Sequence, residues 1–159
     1  MPLTNQELLN LNQALNQLGK MSGVRFAYAV AKNVARIKTE LEALDVAFAP
    51  SEEYKKYDDL RVKLAEEHAK KDEDGKPVSK NNQYEIDDLD SFNAALELLR
   101  VEYKESCDAR DQQVKEYLEL LKGESKVELY KVFIDHVPAE ITVEQMYAIQ
   151  PIISELEIL

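Results

Sequence analysis

The stretch that decides the fold is F-A-Y-A-V-A-K-N-V-A-R-I-K-T-E-L-E-A-L-D-V-A-F, residues 26–48. Large apolar side chains recur in it every three or four residues for about six turns, which is the spacing of one face of an α-helix. The sequence therefore predicts a long helix over residues 23–48. It ends at Ala49-Pro50, because the residue before a proline disfavours helical geometry. The large apolar residues of this face are Phe26, Val30, Val34, Ile37, Leu41, Leu44 and Phe48.

Capping signals and apolar spacing predict four more helices on either side of this one. Thr4 and Glu7 form a capping box, in which each side chain bonds the other residue's free backbone N–H. Ser51 and Thr142 stand where two further helices begin, and serine and threonine are favoured N-caps. The predicted helices are residues 4–18, 51–71, 88–122 and 142–156.

The longest of these helices carries a weak point. A straight helix over residues 88–122 would span on the order of 50 Å at 1.5 Å per residue. Apolar support nearly vanishes over residues 106–113, S-C-D-A-R-D-Q-Q. We therefore expect this helix either to project beyond the shorter ones or to bend at that polar patch.

A small antiparallel β element is predicted from residues 76–79, 83–87 and 126–134. The last of these segments is rich in Val, Tyr, Phe and Ile, which favours a strand. Ser125 and Glu128 could instead form a capping box and begin a helix. We prefer the strand, since the hairpin formed by the two earlier segments offers it a partner.

These elements define a mainly α fold (α+β), with four or five helices, one of them long, around one core. The length of 159 residues fits a single domain, residues 1–159. A hydrophobic fraction of 45% with 32% charged residues is normal for a globular protein. Only four glycines and five prolines are present, which favours long helices over an all-β fold.

Charge and composition exclude several functions. The formal net charge of −11 argues against direct nucleic-acid binding, which needs clustered Lys and Arg. No apolar run approaches the roughly 20 residues of a membrane span, and the first residues lack the features of a signal peptide. One cysteine, Cys107, permits neither an internal disulfide nor a cysteine-based zinc cluster. We expect a cytoplasmic protein that does not bind membranes.

The acidic loop K-K-D-E-D-G-K, residues 70–76, raises the question of calcium. An EF-hand loop needs acids at positions 1, 3 and 5, glycine at 6 and glutamate at 12. With Gly75 at position 6, Asp72 and Asp74 fit, whereas Lys70 and Asn81 occupy positions 1 and 12. The stretch is therefore interpreted as a turn that leads into the hairpin, whose tip is residues 80–82.

Catalytic residue types are sparse. His68 and His136 lie far apart in sequence and in no metal-binding spacing. His68 is expected at a helix end, and Asp135 beside His136 would point to the opposite face of a strand. Cys107 has no neighbouring base and occupies a core-like helical position. We expect no catalytic, cofactor-binding or metal residues, and no cofactor.

Two surfaces are candidates for protein interaction. A narrow leucine seam follows the first helix and suits packing against one partner helix, either in this chain or in a second copy. The middle of the chain is rich in acids, as in proteins that mimic DNA, although interleaved lysines and arginines weaken that row. The candidate interaction residues are Leu8, Leu11, Leu15, Leu18, Asp72, Asp74, Lys80 and Asn82.

Several stretches resemble a group of short phage and prophage proteins of unknown function. They are residues 25–44 (R-F-A-Y-A-V-A-K-N-V-A-R-I-K-T-E-L-E-A-L), 70–78 (K-K-D-E-D-G-K-P-V), 84–93 (Y-E-I-D-D-L-D-S-F-N) and 127–146 (V-E-L-Y-K-V-F-I-D-H-V-P-A-E-I-T-V-E-Q-M). The resemblance covers roughly residues 20–155 in order and character and includes no catalytic motif. It implies viral or prophage origin and a small accessory role.

The function expected from these observations is non-enzymatic. A phage-encoded accessory or assembly factor would act through contacts with a viral or host protein, in the host cytoplasm or on the virion, as a monomer or a homo-oligomer. One alternative is an acidic inhibitor, such as a DNA mimic, of a host nucleic-acid enzyme or defence system. The other is an enzyme whose carboxylate or histidine site is assembled only by the fold.

Overall fold

A computed structural model describes residues 2–156. The described part is mainly helical and contains a small antiparallel sheet, which confirms the predicted fold class. Its α-helices are α1 (Asn5–Gln17), α2 (Val24–Phe48), α3 (Glu52–Glu67), α4 (Leu89–Glu102), α5 (Lys104–Lys122) and α6 (Val143–Ala148). Its strands are β1 (Ser79–Lys80), β2 (Gln83–Tyr84), β3 (Val132–Phe133) and β4 (Ile153–Ser154).

The contacts between residues group the chain into two compact units. Unit 1 comprises Met1–Phe48 and Glu116–Leu159, and unit 2 comprises Ala49–Lys115. The sequence analysis predicted one domain around one core, whereas the structure has two groups of contacts, with α5 contributing residues to both.

Unit 1 is built on the apolar faces of α1 and α2. The capping box predicted at Thr4 and Glu7 is present: the Thr4 hydroxyl accepts from the Glu7 N–H, and the Glu7 carboxylate accepts from the Thr4 N–H at 2.8 Å. The two apolar faces meet, and residues from the C-terminal part of the chain complete the core. The buried core residues are Leu8, Leu11, Leu15, Leu18, Phe26, Ala29, Val30, Ile37, Val132, Ile149 and Ile152.

Unit 2 contains α3, the hairpin β1–β2 and α4. Ser51 caps α3 as predicted, with its hydroxyl accepting from the Tyr54 N–H. The helix ends at Glu67 instead of residue 71, because Lys70 joins β structure: its N–H donates to the Glu85 carbonyl at 2.7 Å, and its carbonyl accepts from the Val78 N–H.

The hairpin confirms the predicted turn. Ser79 pairs with Tyr84 in antiparallel register, and Lys80 pairs with Gln83. Asn81 and Asn82 form the two-residue tip and have φ values of 52° and 60°. Two positive φ values in succession match the type I′ turn, whose twist suits a β-hairpin and which asparagine tolerates.

The predicted helix over residues 88–122 is broken, and the break lies outside the polar patch at which a bend was expected. Tyr103, at φ −102° and ψ 26°, separates α4 from α5. The Arg100 guanidinium and the Asp111 carboxylate lie 2.7 Å apart, although residues 11 apart in a straight helix are separated by about 16 Å along the axis. The two helices therefore turn sharply at Tyr103 and do not form a straight rod.

The C-terminal part of the chain differs from two predictions. Within residues 126–134 only β3 is a strand, and Ile134 begins a 3-10 turn. The partner of β3 is the parallel strand β4, not the hairpin. The helix predicted over residues 142–156 begins at the Thr142–Gln145 capping box and ends at Ala148. Pro151 lacks the N–H that a helix needs, and the chain passes through a 3-10 turn into β4. The predicted domain extends to residue 159, and residues 157–159 lie outside the described part.

Candidate functional site

Unit 1 contains a surface groove between α2 and the extended segment before β3. Its volume is about 820 Å³. It is named the basic groove here, because its lining includes four residues with basic side chains and no Asp or Glu, in a chain with a formal net charge of −11. The lining residues are Val24, Arg25, Tyr28, Arg36, Leu129, Tyr130, Lys131, Val132, Phe133 and His136.

Helix α2 supplies one wall of the basic groove. Arg25, Lys32 and Arg36 follow one another at intervals of seven and four residues, which places them along one face of the helix. Lys32 joins the groove through the tyrosines: its Nζ donates to the Tyr28 hydroxyl at 3.1 Å and lies 4.6 Å from the ring centre of Tyr130. The second distance is that of a cation–π contact.

Side chains of α2 also position the opposite wall. The amide of the fully buried Asn33 bonds both backbone groups of Tyr130: its Nδ2 donates to the carbonyl at 2.9 Å, and its Oδ1 accepts from the N–H at 2.7 Å. Arg36 donates to the Glu128 carbonyl at 2.8 Å. An extended segment is thus held against a helix by bonds that resemble those of a β-ladder.

A histidine closes one end of the groove. Arg25 Nη1 lies 2.6 Å from His136 Nε2. A guanidinium has only donors, so Nε2 is the acceptor in this contact. The contact joins residues 111 positions apart in the sequence and orients Arg25 in the groove.

The cations of the basic groove form no ion pair with an acidic side chain of residues 2–156. These cations are Arg25, Lys32, Arg36 and Lys131. Lys131 Nζ instead donates to the Pro151 carbonyl. The groove therefore presents positive charge to an incoming group.

The sequence analysis missed this site, although the chain contains a signal for it. Residues 8–39 include no acidic residue at all, whereas the chain as a whole has 31. Every charged side chain in that stretch is therefore positive. These residues are Lys20, Arg25, Lys32, Arg36 and Lys38.

The leucine seam, predicted to pack against a helix of this chain or of a second copy, lies buried in unit 1. Leu8 and Leu15 are fully buried, and Leu11 and Leu18 are 2% exposed. They pack in the core of unit 1, so in this structure the seam contacts helices of its own chain.

Of the four candidate residues in the acidic loop and at the hairpin tip, one holds the turn and three are exposed. Asp72 Oδ1 accepts from the backbone N–H groups of Asp74 and Lys76 at 2.9 and 2.8 Å, so its carboxylate holds the turn together. The side chains of Asp74, Lys80 and Asn82 are exposed. Their role in partner binding stays a prediction.

The acidic middle of the chain is partly neutralised by its own bases. Along α3, Glu52 pairs with Lys55, and Glu53 with Lys56. Such exposed pairs contribute little stability, but they interrupt the row of negative charge that a DNA mimic presents.

The two histidines lie in different units. His68 is the C-cap of α3, as predicted, and its ring lies 5.8 Å from that of Phe92. His136 lines the basic groove, whose lining supplies no carboxylate to pair with it. No group of three or more His, Cys, Asp or Glu side chains in residues 2–156 is arranged to hold a metal ion.

Cys107 lies in the interior of unit 2, where it is 1% exposed. Burial raises the pKa of its thiol above the ordinary value, and burial also raises the pKa of the neighbouring Tyr57. The thiolate is the reactive form of cysteine, so this environment is that of a structural residue.

We expect Cys107 to resist alkylation while unit 2 is folded. At pH 8, iodoacetamide should label it at least about tenfold more slowly in buffer than in denaturant. Since the pKa of the folded thiol lies above that of the unfolded one, raising the pH through the unfolded pKa should lower the stability of the fold. The matched control for the labelling rate is Glu105→Cys in a Cys107→Ser background, which places the thiol at an exposed position. Equal rates at the two positions would contradict the prediction.

Comparisons with known proteins give no relative: no protein-family model, curated protein or solved structure matches the chain. No helix within residues 2–156 is long and apolar enough to cross a membrane.

Proposed function

We propose that this chain is a non-enzymatic interaction protein that binds another protein through the basic groove of unit 1. The observation that carries the proposal is the grouping of Arg25, Lys32, Arg36 and Lys131 around one groove that has no acidic lining. Such a grouping in a strongly acidic chain is a local exception to the overall charge, and electrostatic complementarity of this kind gives an interface its specificity.

The construction of the groove supports the same role. One wall is a helix, and the other is an extended segment fixed by Asn33 and Arg36, so both walls are preorganised. A preorganised surface loses little conformational entropy when a partner binds. The resemblance to phage and prophage proteins adds the proposal that the partner is viral or host-derived and that the role is accessory or assembly-related.

Affinity purification tests the proposal when it is done with three forms of the chain. The groove variant combines Arg25→Gln with Lys131→Gln, and the control combines Lys20→Gln with Lys126→Gln. Both lose two positive charges from exposed positions, but only the first pair lines the groove. A partner captured from infected cells should be retained by the control and lost by the groove variant. Capture that does not change with the groove variant would contradict the proposal.

A further inference from the structure

We infer that the partner enters the basic groove as an extended acidic segment with carboxylates at alternating positions. This inference rests on the proposed function and specifies the chemistry of the ligand.

The charges and donors of the groove select carboxylates. Arg25 and Arg36 each use one guanidinium nitrogen in the contacts to His136 and to the Glu128 carbonyl. A guanidinium has five N–H donors, so both arginines keep donors for a ligand. Charge-assisted bonds from arginine to a carboxylate are about twice as strong as neutral hydrogen bonds.

The spacing of the cations matches an extended chain. From Arg25 to Arg36 the helix rises about 16 Å, which is the length of about five residues of extended peptide. From Lys32 to Arg36 it rises about 6 Å, close to the distance between alternate residues of a strand. Carboxylates at alternating positions of such a segment can therefore meet Lys32 and Arg36, and a further one near the other end of the segment can meet Arg25, which lies about 10 Å from Lys32 along the helix.

The aromatic residues of the groove disfavour nucleic acid as the occupant. Proteins that bind single strands offer open ring faces on which bases stack. Here Lys32 lies over the Tyr130 ring and donates to the Tyr28 hydroxyl, and Tyr28 meets Tyr130 edge to face at 5.4 Å. A nucleic acid also carries negative charge along its whole length, which the net charge of −11 repels, while a protein segment can confine its acids to the groove.

The binding test uses short labelled peptides and the full chain. The probe is a fluorescein-labelled pentapeptide with glutamate at positions 1, 3 and 5 and valine between them. One comparison peptide has glutamine in place of glutamate, and another has the same three glutamates in a row. Fluorescence anisotropy should show saturable binding of the alternating acidic peptide, at least tenfold weaker binding of the glutamine peptide, and weaker binding of the contiguous one.

The variants decide whether the peptide occupies the groove. Arg25→Gln with Lys131→Gln should weaken binding at least tenfold, while Lys20→Gln with Lys126→Gln should change it less than twofold. Far-UV circular dichroism checks that both variants are folded. The peptide comparisons on the unaltered chain need no variant, so they test the inference even if a variant unfolds.

Three outcomes would overturn the inference. The first is the absence of saturable, groove-dependent peptide binding. The second is tighter groove-dependent binding of an oligothymidylate with the same number of charges, which would assign the groove to nucleic acid. The third is self-association, measured by sedimentation, that the groove variant abolishes, which would make a second copy the occupant. If partner capture still depends on the groove while the peptides fail, the proposed function stands and only the inference falls.

Discussion

Replacing Asn33 with alanine should lower the free energy of unfolding by about 2–4 kcal/mol. The side chain is fully buried and makes two bonds to the backbone of Tyr130. Its removal takes these partners from the partly buried backbone N–H and carbonyl of Tyr130, and each such group carries a desolvation cost. The extended wall of the basic groove should loosen at the same time.

Denaturant unfolding followed by circular dichroism measures the loss, and hydrogen exchange at the Tyr130 amide reports it locally. Asn33→Leu separates the lost bonds from the lost volume, because leucine fills a similar space but bonds neither backbone group. Asn16→Ala is the matched control on an exposed face, and it should change the stability by less than about 0.5 kcal/mol. If the Tyr130 amide kept its protection in both Asn33 variants, the bonds would not be what holds this segment.

Replacing Leu15 with alanine should also cost about 2–5 kcal/mol. The Leu15 side chain points from α1 into the unit 1 core and is fully buried. Its truncation therefore loses buried apolar surface and leaves a cavity. The matched change, Leu118→Ala on the 52% exposed side chain of α5, should cost less than about 1 kcal/mol.

This pair of variants also separates the two interpretations of the leucine seam. In a core, Leu15→Ala lowers the unfolding free energy at every protein concentration. In an interface between two copies it would shift sedimentation from dimer to monomer and leave the monomer nearly as stable as before. The second result would contradict the buried position of the seam.

Local signals in the sequence predicted the helix starts and the turn correctly. Thr4, Ser51 and Thr142 each cap a helix through a bond to a residue three positions away. Asn81 and Asn82 form the hairpin tip through their own backbone conformation. These features depend on neighbours within about one helical turn, so a single sequence contains the information that defines them.

Sequence reasoning was wrong where a segment's partner lies far away in the chain. Residues 126–134 have the composition of a strand, yet their strand partner, β4, was itself predicted as helix. The bend at Tyr103 brings Arg100 to Asp111, and no break in the apolar pattern marks that residue. Composition shows that a segment favours extended structure, but it does not show which distant groups satisfy its backbone.

The basic groove was missed for a related reason. A net charge of −11 describes the whole chain, whereas binding depends on which charges share one surface. The acid-free stretch of residues 8–39 was visible in the sequence, but its significance depends on the opposite wall, which comes from about 100 residues further along.

The sequence by itself determined that this protein is mainly helical, where the helices other than α5 begin and where its hairpin turns, because spacing and capping act between near neighbours. Only the tertiary structure decided that the leucines of α1 face inward, that Asn33 holds the segment around Tyr130, and that four basic residues border one groove. Those outcomes depend on burial and on hydrogen bonds between distant residues, which form only when the chain has packed.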